Sequence, residues 1–309
     1  MTKCDLLIIG AGPAGLSAGL YASRYKINHL VVGELIGGEA STAFKICNFP
    51  TEKEISGREL AEKMEETVGY HKVNIIKEKV SCIEKKNKIF LVNLKKGENI
   101  EAKAVILATG TKRKKLGILK EDFFRGRGIH YCATCDGPFY KDKIVGVVGG
   151  GNAALTAAIF LADICSNVYL ICRENKKEDL PAETIWIENV LNNKKIKVLW
   201  GKNIKELIGD KFLEAVILKG EDGKSSKIKI NGLFVEIGAK PNFPEIKFPL
   251  DLAPNGEIKV NSSQETSVPG FFAAGDVSSG SNGLRQIITA LSEGMIAADS
   301  VFKYLKCNK

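Results

Sequence analysis

An α/β protein with two nucleotide-binding domains, the second inserted in the first, is the fold class that this 309-residue sequence predicts. Two apolar strands each run into a glycine cluster and then a helix, at GAGPAG (10–15) and at GGGNAA (149–154). After each cluster the same order follows: helix, strand, short alternating strands and a closing apolar strand. Because a strand, glycine turn and helix open a Rossmann unit, we expect two Rossmann-like, three-layer ββα domains.

The first domain opens with a βαβ unit and continues into short strands. We predict a strand at 5–9, a helix at 14–25, a strand at 29–32, an antiparallel meander within 73–103 and an apolar strand at 104–108.

The second domain repeats this order, and the chain then returns to the first domain. We predict strands at 144–148, 167–171 and 233–237, helices at 152–164 and 182–191, and a second meander within 195–230. After about residue 243, a strand that meets an acidic turn within 271–276 and helical spacing at 284–305 complete the first domain. The predicted domains are therefore 1–115 with 244–309, and 116–243, with crossings at 115–118 and 238–243.

Composition and charge exclude several classes of protein. The formal charge is +9, but the lysines are scattered and interleaved with glutamate, so we expect a solvated surface and no nucleic-acid partner. No signal peptide and no apolar run of about 18 residues are present, so we expect a cytoplasmic protein with no membrane partner. The eight cysteines of such a chain are expected to be reduced thiols rather than a disulfide framework.

The glycine clusters have the pattern of dinucleotide sites. Gly10, Gly12 and Gly15 permit a tight turn, and the helix that follows offers N–H donors to a pyrophosphate. Glu34, after the second strand, is placed to bind a ribose hydroxyl. The alternative is a glycine-rich connection without a ligand.

The second cluster leaves its ligand open. Its turn and helix start would hold a nicotinamide nucleotide through Gly149, Gly151, Asn152 and Ala153. Arg173 and Lys176 suit a 2′-phosphate, whereas Glu174 suits a free 2′-hydroxyl, and an inserted copy could also keep its glycines for packing alone.

Cys132 and Cys135 form the cysteine pair with the closest spacing. Zinc needs further ligands, and the three histidines and remaining cysteines offer no suitably spaced set, so no metal is expected. A redox dithiol is favoured because a two-residue spacer closes a small disulfide ring. Asp136 is placed to exchange a proton with the thiolate, or alternatively to cap the turn before Gly137-Pro138.

Near the C-terminus, Gly275-Asp276 ends a strand and Arg285-Gln286 begins a long helix. The start of that helix would stabilise negative charge on a reduced flavin. The alternative is that Asp276 only caps or turns the chain.

These segments together resemble the low-molecular-weight thioredoxin reductases over nearly the whole chain. The shared segments are GAGPAG (10–15), Gly37-Gly38-Glu39, Asn48-Phe49-Pro50, Ala108-Thr109-Gly110, Gly126-Arg127-Gly128, CATCDG (132–137), GGGNAA (149–154), AAGD (273–276) and Arg285-Gln286.

The resemblance implies an FAD domain in two sequence segments, a homodimer and thioredoxin or a thioredoxin-like protein as partner. The residues implied to bind FAD are Gly10, Gly12, Pro13, Ala14, Gly15, Glu34, Gly37, Gly38, Glu39, Asn48, Ala108, Thr109, Gly110, Gly275, Asp276, Arg285, Gln286 and Ile287. It also implies electron flow from NAD(P)H through FAD to the disulfide. Cys135 would face the flavin, Cys132 would attack the partner and Asp136 would act as acid and base.

The electron donor stays open because this chain departs from the family pattern. NADPH-using members carry a His-Arg-Arg run and another Arg shortly after it, where this chain has Cys172-Arg173-Glu174 and later Glu178. They also commonly have acidic residues where this chain has Thr156 and Ala157. NADPH, NADH, reduced ferredoxin and another, unidentified carrier all remain candidate donors. Two other functions remain as alternatives: a small-molecule dithiol oxidase, and a non-catalytic nucleic-acid-binding or redox-sensing module.

Overall fold

The protein, described here by a computed structural model over residues 2–43, 45–220 and 223–307, has the predicted α/β architecture. It forms two compact units, Met1–Lys112 with Lys240–Lys309, and Arg113–Ala239. The chain thus passes between units a few residues before the predicted boundaries at 115/116 and 243/244.

The strands and helices are numbered in chain order. The strands are β1 (Thr2–Ile9), β2 (His29–Val32), β3 (Ile75–Ile76), β4 (Val80–Lys86), β5 (Ile89–Leu94), β6 (Asn99–Leu107), β7 (Thr111–Arg113), β8 (Ile129–His130), β9 (Ile144–Val148), β10 (Asn167–Ile171), β11 (Ile196–Leu199), β12 (Lys202–Ile208), β13 (Ala215–Gly220), β14 (Ser225–Lys229), β15 (Gly232–Val235), β16 (Ala239–Pro241), β17 (Glu245–Ile246) and β18 (Phe271–Ala273). The α-helices are α1 (Pro13–Arg24), α2 (Gly57–Tyr70), α3 (Glu121–Phe124), α4 (Ala133–Asp136), α5 (Asn152–Ile164), α6 (Thr184–Asn192) and α7 (Ile287–Cys307).

The first unit is built on one sheet that divides at β6. Strands β3, β2, β1 and β6 are parallel neighbours in that order, and β18 pairs in parallel with the end of β6. The beginning of β6 pairs instead with β5 in an antiparallel ribbon that continues to β4 and β17. One long strand therefore belongs to two layers of the unit.

Alternation along the strands fills two cores, one on each face of the parallel sheet. Leu6 and Ile8 of β1 pack in a cluster with residues of α1 and α7. Leu7 and Ile9, on the opposite face, pack in a cluster with residues of the antiparallel ribbon. Because successive side chains of a strand point to opposite faces, this pattern produces the predicted order of helices, parallel sheet and ribbon.

The second unit has the same three layers. Its parallel sheet has the order β11, β10, β9, β15, β8, and β12, β13 and β14 form a separate antiparallel layer. Val168 and Leu170 of β10 pack with residues of α5 and α6, whereas Ile171 packs with residues of the antiparallel layer. The predicted fold class is thus confirmed in both units.

The chain segments that connect the units, β7 and β16, pair as a two-stranded sheet of their own. In this region the N–H of Lys114 donates to the carbonyl of Gly238, at 2.9 Å.

Several predicted elements need correction. The range 195–230 is not wholly a meander, because β11 joins the parallel sheet beside β10. In 73–103, β3 pairs in parallel with β2, and the closing strand begins at Asn99 rather than at 104. Helix α7 begins at Ile287 rather than at 284, and helix α2 was not predicted.

None of the helices in the described part of the chain combines the length and the apolar character that spanning a bilayer requires.

Candidate functional site

The predicted cysteine pair lies in the second unit, directly after the short edge strand β8. A disulfide joins Cys132 and Cys135, whose Cα atoms are 5.4 Å apart. The intervening residues begin the single turn of α4, in which the N–H of Asp136 donates to the carbonyl of Cys132 at 3.1 Å. The N–H of Cys135 also lies 3.2 Å from Cys132 Sγ. On reduction, this N–H is placed to stabilise a thiolate at Cys132.

Asp136 pairs with a histidine instead of capping the next turn. Its Oδ2 lies 2.9 Å from Nδ1 of His130. It makes no side-chain hydrogen bond to cap the 3-10 turn Gly137–Tyr140. The structure therefore supports the side-chain pair rather than the capping alternative.

His130 is buried, and its second ring nitrogen is also hydrogen-bonded. Nε2 lies 2.7 Å from the hydroxyl of Tyr140, and the ring of Phe234 stacks on the imidazole with centroids 5.4 Å apart. Burial raises the pKa of Tyr140 to about 12, and the charge of Asp136 acts in the same direction. Tyr140 is therefore an un-ionised phenol at neutral pH.

Tyr131, which lies between β8 and Cys132 in the chain, is held by a buried carboxylate. Its hydroxyl donates to Glu121, whose carboxylate also accepts the N–H groups of Leu116 and Gly117, at 2.7 and 2.8 Å. Burial, followed by this hydrogen bond, raises the pKa of Tyr131. Glu121 thus fixes the segment before α3 to the residue next to Cys132.

Close backbone contacts in the first unit require glycine at two positions of the first glycine turn. A Cβ on Gly10, which has φ +117°, would lie 2.1 Å from the carbonyl oxygen of Ala108. A Cβ on Gly15 would lie 1.8 Å from the oxygen of Gly10. Helix α1 starts with Pro13, and its N-cap Gly12 supplies no side-chain cap, so the first N–H groups stay available to a ligand.

A polar atom without a partner lies beside this turn. In residues 2–43, 45–220 and 223–307, Thr109 Oγ1 is buried and makes no hydrogen bond. Thr109 follows β6, between Ala108 and the positive-φ residue Gly110. A buried hydroxyl of this kind fits a ligand that completes its hydrogen bonding.

Other predicted cofactor residues meet in the first unit from distant parts of the chain. Asn48 Nδ2 donates to Gln286 Oε1 at 2.9 Å, immediately before Ile287 begins α7. Gly38 and Glu39 lie in the 3-10 turn Gly38–Thr42, which is preceded by Gly37 at φ +79°.

Glu34 follows β2, as the ribose role requires, and its side chain is exposed. It forms an ion pair with Lys79 at 3.1 Å. A ribose hydroxyl would therefore bind to Glu34 in competition with this lysine.

The turn that carries Gly275 and Asp276 is fixed by a buried carboxylate of α7. Glu293 accepts the N–H of Gly275 at 2.7 Å and hydrogen bonds from the hydroxyls of Ser278 and Ser281. Burial raises the pKa of Asp276, and nearby Arg285 opposes that rise. Arg285 itself forms an ion pair of 2.7 Å with the buried Glu257.

The second glycine turn carries acidic side chains. Helix α5 starts at Asn152, whose Oδ1 accepts the N–H of Glu183 at 2.7 Å and whose Nδ2 donates to that residue's carboxylate at 2.9 Å. A Cβ on Gly150 would lie 2.6 Å from Glu174 Oε2. Within the described part of the chain, this buried oxygen has no hydrogen-bond partner.

The two cationic residues predicted for this site are exposed. Arg173 Nε lies 3.0 Å from Glu174 Oε1, and the arginine side chain is 79% exposed against 12% for the glutamate. Lys176 is also exposed. Gly149 (φ +141°), Gly151 and Ala153 form the turn and the helix start, as predicted.

The comparison with protein-family models matches residues 4–294 to the pyridine nucleotide-disulphide oxidoreductases. The chain belongs to the pyridine nucleotide-disulphide oxidoreductase family.

Relatives within this family extend over nearly the whole chain. The chain is 38% identical to a "34.2 kDa protein in rubredoxin operon" of Clostridium pasteurianum, covering 98% of this chain and 97% of that protein. It is 38% identical to the thioredoxin reductase of Mycoplasma genitalium, covering 95% and 92%. The crystal structure of Lactococcus lactis thioredoxin reductase superposes with a TM-score of 0.93 at 30% identity, covering 98% and 99%. The resemblance to thioredoxin reductases drawn from the sequence is confirmed.

Several residues that contact the predicted site residues were not identified from the sequence. Nothing in their spacing links His130 and Tyr140 to Asp136, Glu121 to Tyr131, or Glu293 to Gly275, because those contacts depend on how separate elements meet. The one available signal was His130 itself, a polar residue two positions before the dithiol. No cluster of three or more His, Cys, Asp or Glu side chains that could hold a metal ion occurs among the described residues.

Proposed function

We propose that this chain is a thioredoxin reductase that passes electrons from NAD(P)H through FAD to Cys132 and Cys135, and from this dithiol to thioredoxin or a thioredoxin-like protein. The observation that carries the proposal is the Cys132–Cys135 disulfide, next to Asp136, in a unit that also contains a glycine turn.

FAD binding is proposed for the first unit. The hydroxyl of Thr109, which has no partner among the described residues, and the open N–H groups at the start of α1 fit such a ligand. Asn48, Gln286 and the turn at Asp276 would then hold the flavin end, since Asn48 and Gln286 are in direct contact. When bound, FAD supplies the disulfide with the two electrons that it receives as hydride.

A nicotinamide nucleotide is proposed for the second unit, with its pyrophosphate at Gly149, Gly151 and the N–H groups of Asn152 and Ala153. Arg173 and Lys176 lie on the exposed side of this turn, and Glu174 lies against it. The proposed assembly is a homodimer, as the resemblance implies, and the proposed location is the cytoplasm.

The chain's own chemistry in this scheme is thiol–disulfide exchange. Cys132, whose sulfur already lies near the N–H of Cys135, is proposed to attack the partner disulfide as a thiolate. Cys135 then releases the partner by attacking Cys132, and Asp136 moves the protons between sulfur atoms.

The test follows reduction and turnover separately. Anaerobic titration of the FAD-loaded protein with NADPH, NADH and reduced ferredoxin, read at the flavin band, identifies the donor. Turnover of a thioredoxin disulfide is then measured for the wild type, Cys135→Ser and, as a matched control, Cys165→Ser. Cys165 is buried in the second unit and forms no disulfide.

We expect Cys135→Ser to lower turnover by at least about 1,000-fold, because no disulfide can form. Cys165→Ser should retain turnover near that of the wild type. Full turnover by Cys135→Ser would refute the proposed function. If reduced ferredoxin bleaches the flavin and neither NADPH nor NADH does, the nucleotide is excluded as the electron donor.

A further inference from the structure

The imidazole of His130 lies between two hydrogen-bonding side chains, those of Asp136 and Tyr140. Its Nδ1 lies 2.9 Å from Asp136 Oδ2, and its Nε2 lies 2.7 Å from the hydroxyl of Tyr140. His130 is only 8% exposed, so the protein rather than water supplies both of these hydrogen-bond partners. Asp136, in turn, follows Cys135 directly in the same helical turn.

This arrangement satisfies the imidazole in each protonation state. When Nδ1 and Nε2 are both protonated, Nδ1–H donates to Asp136 and Nε2–H donates to the oxygen of Tyr140. When Nε2 is unprotonated, the phenol O–H donates to it instead, because a hydroxyl both donates and accepts. With its pKa raised to about 12 by burial, Tyr140 keeps its own proton throughout.

The other described groups around His130 and Tyr140 include an aromatic ring and a lysine. Phe234 of β15 covers one face of the ring, and Lys143 lies over the ring of Tyr140 at 5.5 Å. The hydroxyl of Tyr131 is directed to Glu121. Asp136 is therefore the carboxylate that the structure pairs with His130.

We propose that His130 is a positioning residue that, together with Asp136, stores the proton moved during thiol–disulfide exchange at Cys132 and Cys135. The proposal rests on the proposed function for its partner substrate. In it, Tyr140 orients the imidazole, and Asp136 is the group that meets the sulfur atoms.

Protons and electrons balance in the exchange when the Asp136–His130 pair holds the transferred proton. Cys132–SH gives its proton to the Asp136–His130 pair, and the thiolate attacks one sulfur of the partner disulfide. That S–S bond breaks, a mixed disulfide forms, and the leaving sulfur takes the bond's electron pair and the stored proton. Cys135–SH then gives its proton to the same Asp136–His130 pair, and its thiolate attacks Cys132 Sγ. The bond between Cys132 and the partner breaks, and the partner's second sulfur leaves with the electron pair and takes this second proton. Two electrons and two protons have moved from the dithiol to the partner.

The proposal predicts a measurable effect on the Cys132 thiol. A protonated His130 beside Asp136 favours the thiolate, so its loss raises the pKa of that thiol. We choose His130→Asn because the amide nitrogen can still donate to Asp136 but cannot take up a proton.

The experiment is alkylation by iodoacetamide of the full-length protein after reduction with dithiothreitol and removal of the reductant. The modification rate at Cys132 is followed by peptide mass spectrometry from pH 5 to 9. At pH 6 we expect His130→Asn to react about tenfold more slowly than the wild type, which corresponds to one pKa unit. The rates should converge at high pH, where the thiol is ionised in both proteins.

Further variants separate proton storage from a structural role. His71→Asn, which removes a histidine of the first unit, should leave the profile unchanged. Tyr140→Phe removes the hydroxyl partner of Nε2 and should shift the profile in the same direction as His130→Asn. In an Asp136→Asn background, His130→Asn should have no further effect, because His130 acts through that carboxylate.

Superimposable profiles of wild type and His130→Asn would overturn the proposal. If His130→Asn fails to fold, as judged by circular dichroism, an unchanged profile for Tyr140→Phe overturns it instead. The alkylation requires no FAD, nucleotide or thioredoxin. A protein that shows the predicted profiles but does not reduce thioredoxin therefore contradicts only the proposed function.

Discussion

At the scale of single residues, Glu174 is the side chain whose position bears most directly on the electron donor. Its carboxylate follows β10 and lies against Gly150, with one oxygen buried and, among the residues described, without a hydrogen-bond partner. An acidic residue at the end of the second strand of a βαβ unit accepts the hydroxyls of an unphosphorylated ribose. The same charge repels a 2′-phosphate.

We therefore predict that Glu174→Gln changes the choice of nucleotide. The substitution removes the negative charge, and Arg173, now 3.0 Å from that carboxylate, becomes able to pair with a 2′-phosphate. The ratio of the dissociation constants for NADP⁺ and NAD⁺ should fall by about tenfold, which is about 1.4 kcal/mol. Isothermal titration calorimetry on the full-length protein measures both constants.

The matched control is Glu206→Gln. Glu206 is an exposed glutamate of β12 in the second unit. This variant should keep the wild-type ratio of dissociation constants. If Glu174→Gln and the wild type share one ratio, Glu174 does not select the nucleotide.

At the scale of elements, helix α2 supports the turn that carries several proposed FAD residues. Ser56 Oγ accepts the N–H of Glu59, and the Glu59 carboxylate accepts the N–H of Ser56, which together form a capping box. A Cβ on Gly37 would lie 2.4 Å from the Cβ of Ala61, so the helix and the turn Gly38–Thr42 are closely packed.

We predict that Ser56→Ala destabilises the first unit by about 1 kcal/mol, because an N–H at the start of α2 loses its acceptor. A loss of this size lowers the Tm by about 2–4 °C in a domain of roughly 150–250 residues, and the first unit falls in that range. FAD should also dissociate more readily, since α2 packs against the turn at Gly37. Calorimetry and FAD release on dilution measure the two effects.

Ser226→Ala, at an exposed position of β14 in the second unit, is the control and should change neither quantity. A Tm for Ser56→Ala equal to that of the wild type would mean that the capping box contributes nothing to stability.

Local elements could be predicted from the sequence, but their pairing could not. The turn at Gly10 and the helix after it were predictable because strand, glycine turn and helix are adjacent in the chain. By contrast, 196–199 and 202–208 have similar short apolar patterns, yet β11 pairs in parallel with β10 while β12 joins the antiparallel layer. That difference depends on the crossover through α6, which no local pattern encodes.

The candidate site shows the same division. The Cys132–Cys135 spacing and the residues after it could be recognised directly in the sequence, and so could the turn at Gly275-Asp276 after an apolar strand. The contact of Asn48 with Gln286 joins residues 238 positions apart, and the family resemblance implied only that each residue binds FAD. The roles of Glu293 and Tyr140 had no signal, because a buried carboxylate and a buried phenol become recognisable only with their partners.

At the scale of the whole molecule, each unit contains its own hydrophobic cores. The second unit is continuous in sequence and has one core on each face of its parallel sheet. The first unit is interrupted, but its two segments end in the paired strands β7 and β16. Neighbouring strands lie about 5 Å apart, so a short linker can join these ends.

We predict that the two units fold separately. A chain of residues 113–239 should unfold in one cooperative urea transition, because its apolar side chains are buried within the unit itself. Both tryptophans, Trp186 and Trp200, pack against one of its cores, so their fluorescence reports this transition. Coincident fluorescence and circular dichroism transitions test this prediction.

A chain joining 112 to 240 through a short glycine linker should bind FAD and show flavin absorbance, although it lacks the dithiol. A joined chain that stays colourless after FAD is added, while circular dichroism shows it to be folded, would mean that the flavin site needs residues of the second unit.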